Sequence, residues 1–166
     1  MYFHLAESSI RRRCALMIFE FVVQLAVSFL ATLGFAIVFF APKAELIYCG
    51  LTGALGWIIY YCMLAADIHF AVACMVATTC LTILARAFAV LRKNPATIYL
   101  LTGIFPLVPG AGIYYTAYYL FMGNQSMFTT KGMETFETAG AIVFGIIFGF
   151  SLPQKIFSKL ERFSSK

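Results

Sequence analysis

Along the chain, five apolar runs alternate with short polar or proline-marked interruptions, at residues 16–40, 47–64, 69–90, 98–122 and 133–152. Each comes close to the ~20 residues that a helix needs to cross a hydrocarbon core ~30 Å thick, the second run being the shortest. The pattern predicts an all-α fold, a polytopic membrane helical bundle of about five spans, as a single membrane domain over residues 1–166. Residues 1–13 read as a polar lead and 14–153 as the bundle. Residues 154–166 read as a basic amphipathic tail, where Ile156, Phe157, Leu160 and Phe163 lie among basic residues, a pattern suited to the membrane interface. Arg11, Arg12 and Arg13 ahead of the first run resemble the start of a secretory leader. The run itself far exceeds the apolar core of a cleavable leader, about 7–15 residues, and reads as a retained span. Pro42 and Pro153 are natural stops, and a polar loop is expected over 123–132.

The fourth run does not fit one regular helix. Thr102, Gly103, Ile104, Phe105, Pro106, Leu107, Val108, Pro109, Gly110, Ala111 and Gly112 place two prolines and three glycines inside an apolar stretch. Proline removes a backbone donor and clashes with the preceding turn. Free backbone at membrane depth is tolerated only where protein buries it or where it lines a wet cavity, and a broken span of this kind points to a transporter's substrate site. If 97–105 and 110–122 are half-helices, the second begins at Gly110 with unpaired N–H groups and the positive end of its dipole, a place for a carboxylate. Thr102 and Tyr114 are near enough to add hydroxyls. The competing reading is a proline kink in one continuous helix.

Polar residues inside the other runs fall on single faces. Glu20, Gln24, Ser28 and Thr32 are spaced four apart, as are Thr78, Thr82 and Arg86. The first stripe faces either a pathway, with Glu20 as a proton-coupling carboxylate, or partner helices through interhelical hydrogen bonds. Arg86 either binds a carboxylate or serves as a structural or snorkelling cation. Glu134 and Glu137, at the start of the fifth run, suit the dipole of a first helical turn. Ala141, Gly145 and Gly149, and Gly50, Gly53, Ala54 and Gly56, form small-residue faces for close helix approach.

Composition agrees with a membrane protein and narrows the chemistry. Hydrophobic residues make up 62% of the 166 residues, charged residues 11%, and mean hydropathy is +0.90, whereas soluble domains carry about 25% charged residues. The net charge of +5 sits between and beyond the apolar runs, where it suits orientation and headgroup contact; no basic face suits a nucleic acid. With five crossings and the N-terminus outside, Lys43, Arg92, Lys93 and the four tail cations fall on the cytoplasmic side, against Arg11, Arg12, Arg13 and Lys131 outside. A fourth segment that dips in and returns to the same face gives the same balance with both termini inside, so charge alone leaves both topologies open. Cys14, Cys49, Cys62, Cys74 and Cys80 lack metal or redox spacing and read as packing residues. His4 and His69 are isolated, no metal site is expected, and no hydrolase, phosphate-loop or dinucleotide pattern supports an enzyme.

Pro106-x-x-Pro109-Gly110 with Tyr114 resembles the hallmark of the threonine/serine exporter family, and more narrowly the small subunit of its split, two-component form. Gly34, Phe35, Ala36, Ile37, Val38 and Phe39 with Pro42, Arg86 before the turn at 92–95, and Phe150, Ser151, Leu152 and Pro153 agree in place and order. The resemblance spans roughly residues 15–153. It implies a secondary exporter of small amino acids (threonine, serine) or of dicarboxylates such as succinate, working in the cell (inner) membrane with a larger partner subunit. Ten spans in the fused form imply five here. The expected function is therefore a subunit of such an exporter, with no cofactor and a proton gradient as drive, and a homo-oligomer remains open. The pathway residues are Glu20, Gln24, Arg86, Thr102, Pro106, Pro109, Gly110 and Tyr114. The alternative is a non-transporting assembly or regulatory subunit of the same complex.

Overall fold

The computed structural model describes the backbone of residues 2–153 and the side chains of residues 19–153; the expected amphipathic tail lies outside them. The described residues fold into α1 (Tyr2–Val38), α2 (Leu46–Ala65), α3 (Phe70–Arg92), α4 (Ala96–Ile104), α5 (Gly110–Phe121) and α6 (Gln125–Ser151), with 3₁₀ turns at Lys43–Glu45 and Phe105–Leu107. The polar lead is helical and continuous with the first span, whose stretch Phe19–Val38 is long and apolar enough to cross a membrane.

Small residues decide how closely these helices approach. A Cβ at Gly53 would collide with Thr32 of α1, and one at Gly50 with the Phe29 ring. Gly56 faces Leu81 of α3, and Gly103 of α4 faces Thr52 and the Gly53 backbone. On the other side of the bundle, Gly145 and Gly149 of α6 take Thr78 and Thr82 of α3. With lipid outside, such close backbone approach supplies the van der Waals contact that hydrophobic burial supplies in water. The interior is correspondingly built of Ala36, Cys49, Ala73, Cys74, Ala77, Leu81, Ala85 and Tyr99.

The path of the chain fixes the number of crossings. Successive contacts Thr78–Gly145, Thr82–Gly149 and Arg86–Leu152 make α3 and α6 parallel. Two parallel helices separated by the 96–121 segment require that segment to cross once between them. Its halves are bent by 52°, which redirects the chain without reversing it. The described residues thus supply four helices long and apolar enough to cross a membrane and a bent pair as the fifth candidate span, with Pro42, the turn at 93–95 and Leu152 at one end of the bundle and Asp67 and Gly123 at the other; a fourth segment returning to its own end does not fit.

One expectation fails. The polar loop at 123–132 is only a turn at Gly123 and Asn124, where Gly123 has φ +69°. The Asn124 side chain accepts from the Met127 N–H at 3.2 Å and caps α6, and the Thr129 and Thr130 hydroxyls bond back to their own helix. Glu134 and Glu137 consequently lie in the third and fourth turns of α6, and the first-turn dipole reading does not apply to them.

Candidate functional site

The interruption of the fourth span is a true break. α4 tightens into the 3₁₀ turn Phe105–Leu107, Val108 is extended (ψ 131°), Pro109 makes a tight γ-type turn (φ −75°, ψ 59°), and α5 restarts at Gly110. Pro109 donates no hydrogen bond, the Gly110 N–H reaches Val108 O at 2.7 Å, and the first helical bond of α5 runs from Ile113 N to Pro109 O at 3.0 Å. The amides of Ala111 and Gly112 belong to the first turn, ahead of any acceptor within the helix. On the α1 side the break is held by Phe105, whose ring lies 4.5 Å from Phe35 and 5.0 Å from Phe39.

The other edge of the break borders a hollow of about 320 Å³ lined by Tyr60, Phe70, Pro109, Gly112, Glu134, Thr135 and Thr138. Gly112 is needed here, because a side chain at that position would strike the Thr135 hydroxyl and push α5 from α6. Thr135 lies ten residues past the start of α6 at Gln125, about 15 Å along the axis, so the hollow reaches well into the bundle. Glu134 is bound by Lys131 one turn away at 2.7 Å.

Of the pathway residues expected from sequence, only Pro109 lines this hollow, with Gly110 adjoining it; Gly112 and Glu134, noted from sequence for the break and for a first helical turn, line it as well. Pro106 sits in the 3₁₀ turn. Thr102, 1% exposed, bonds to Ile98 O and Tyr99 O in its own helix and borders a smaller hollow of about 190 Å³ with Phe39, Pro42, Thr97 and Leu101. Tyr114 is 63% exposed on the outer side of α5, stacked on Tyr118 and edge-on to Tyr115.

Apart from Glu20, both polar stripes lie in helix seams. Gln24 Oε1 accepts from Trp57 Nε1 at 2.8 Å, and Ser28 and Thr32 are buried against α2, their hydroxyls donating to Leu25 O and Ser28 O. Glu20, one turn earlier, is exposed. Arg86 Nη1 donates to Gly149 O (2.8 Å), Phe150 O (3.2 Å) and Leu152 O (2.9 Å), and its guanidinium lies 5.6 Å from the Phe150 ring. It thereby satisfies carbonyls that the end of α6 leaves open.

Sequence reasoning missed a charged cluster at the Pro42 face. Glu45, only 4% exposed, receives Arg92 and the Tyr99 hydroxyl, tying the starts of α2 and α4 to the end of α3. The available signal was that Glu45 is the only acid between the first span and Asp67, on the face that also carries Arg92.

Five crossings, one broken beside a hollow whose walls carry charge and hydroxyls, define a multi-pass membrane protein of the transporter kind. A family model described as threonine/serine exporter, ThrE, matches residues 24–152. The chain belongs to that family, and its role is that of a membrane exporter. No curated protein and no solved structure matches it.

Proposed function

We propose that the chain is the small membrane subunit of a secondary exporter for small amino acids or small organic acids, working in the inner membrane with a larger partner subunit and driven by the proton gradient. The observation that carries this reading is the hollow at Pro109 and Gly112, where the start of α5 meets a cavity large enough for a metabolite of a few heavy atoms. A carboxylate on the substrate takes the first-turn amides. Pro106 and Pro109 hold the break open, and Thr102 acts on the opposite side of it. Gln24 and Arg86 serve the frame that positions the break. Glu20 acts only where a partner covers the exposed face of α1. The excess of cations at the Pro42 face supports a cytoplasmic placement of that face.

Efflux from cells and proteoliposomes carrying the assembled exporter tests the reading. Pro109→Leu, which favours an uninterrupted helix, is expected to abolish efflux while the complex still assembles; a lipid-facing change such as Val27→Leu is expected to have no effect. Normal efflux by Pro109→Leu in an intact complex would make the chain an assembly subunit, with the path lying in its partner.

A further inference from the structure

The two walls of the hollow differ in hydrogen-bonding character. On the α5 side the wall is Pro109 and Gly112, at the first helical turn, whose N–H groups are donors ahead of any helical acceptor. On the α6 side, the Thr135 hydroxyl donates to Lys131 O at 2.6 Å and the Thr138 hydroxyl to Glu134 O at 2.8 Å. Their protons are committed to their own helix, and a hydroxyl so engaged offers the cavity only lone pairs. Glu134 adds a carboxylate to the same wall. One side thus offers N–H groups and the positive end of a dipole; the other offers only acceptors and a negative charge. A ligand with two carboxylates would leave one of them against Glu134, at a cost in a partly desolvated site. A ligand bearing an ammonium beside its carboxylate matches both walls.

We propose that Glu134 is the specificity-determining residue of this site, binding the ammonium of a zwitterionic substrate, with the Lys131 ammonium as the stand-in that neutralises it when the site is empty. This rests on the substrate site lying at the break. Lys131 is one helical turn from Glu134, on the side toward the Asp67 face, and is not part of the wall. The arriving ammonium exchanges for the Lys131 ammonium on the same oxygens, without leaving a carboxylate unpaired. Thr135 and Thr138 accept its remaining N–H bonds. Three donors on an ammonium meet three acceptor groups on one wall, the Glu134 carboxylate and the Thr135 and Thr138 hydroxyls.

The test is binding of L-threonine, 3-hydroxybutyrate (which lacks the ammonium) and succinate to the purified exporter complex, together with efflux KM and kcat. Glu134→Gln is expected to weaken L-threonine binding roughly ten- to a hundred-fold, as for a lost hydrogen bond to a charged group. It should leave 3-hydroxybutyrate unchanged and relatively favour succinate. The loss should appear in KM. Glu134→Asp, which keeps the charge, should recover part of the affinity and shows that the fold tolerates change there. Lys131→Gln, which removes the competitor, should leave L-threonine binding equal or tighter. Equal effects of Glu134→Gln on L-threonine and 3-hydroxybutyrate, or a loss of succinate binding confined to Lys131→Gln, would overturn the assignment while leaving the site at the break. Unchanged binding of all three in both Pro109→Leu and Glu134→Gln would remove the site itself.

Discussion

Arg92, at the end of α3, meets Glu45, just ahead of α2, through Nη2–Oε1 at 2.9 Å and Nε–Oε2 at 3.1 Å, and the Tyr99 hydroxyl of α4 donates to Oε2 at 2.7 Å. The guanidinium also stands 4.7 Å from the Tyr48 ring, which packs edge-on against Phe88. Three helix ends are therefore fixed to a single carboxylate at the Pro42 face, while the hollow beside the break lies toward the Asp67 face. A charged pair with its partner removed leaves an uncompensated charge, which is more harmful than losing both. Arg92→Met is thus expected to lower the melting temperature of the detergent-purified protein, and adding Glu45→Gln to it should recover part of the loss. A double variant less stable than the single one would show that the cluster does not act through charge pairing. Arg92→Lys, which cannot reproduce the two-pronged contact, should fall between wild type and Arg92→Met.

The chain's one tryptophan reports on the first seam. Gln24→Leu removes the acceptor from Trp57 Nε1 and leaves the indole N–H in an apolar groove. The expected cost is about 1 kcal/mol, with a blue shift of the emission maximum. Substrate affinity should not change. A raised KM with unaltered fluorescence would return Gln24 to the pathway.

Arg86 offers a sharper contrast between two roles. As a cap on Gly149, Phe150 and Leu152, it contributes stability, and Arg86→Gln is expected to cost about 1–2 kcal/mol in unfolding. As a substrate ligand it would instead alter KM and leave unfolding alone. Denaturant or thermal unfolding run beside transport kinetics separates the two.

Four-residue spacing made the faces of both stripes legible, because a helix places such residues in line whatever they touch. Their partners were not legible. Gln24 needed Trp57, thirty-three positions away, and Arg86 needed carbonyls of α6, which carry no side-chain signature at all. The break was legible because two prolines and a glycine act locally on the backbone. The hollow beside it was not, since it exists only where Tyr60, Phe70 and Glu134 are brought to Pro109 by three other helices. The start of α6 was misplaced for a different reason. Its first two turns are polar, so an apolar-run boundary fell at Met133 although Asn124 caps the helix nine residues earlier.

Glycine positions allow the packing to be tested without reference to transport. Gly149 meets Thr82 and the Thr79 carbonyl, and Gly53 meets Thr32, so added side chains there must force helices apart. Gly34 and Gly140 have open space around the position of a Cβ. Gly149→Val and Gly53→Val are expected to destabilise by about 1–3 kcal/mol, the range for overpacked interiors, while Gly34→Ala and Gly140→Ala should be neutral or slightly stabilising, since alanine favours the helix. Because Gly149 also supplies a carbonyl to Arg86, Gly149→Val and Arg86→Gln share a partner, and their effects should sum to less than additive. The same pairing of Gly53→Val with Arg86→Gln, on opposite seams, should be additive. Melting curves of the three single and two double variants decide this; additivity in both pairs would mean that the cap does not depend on how closely α6 sits against α3.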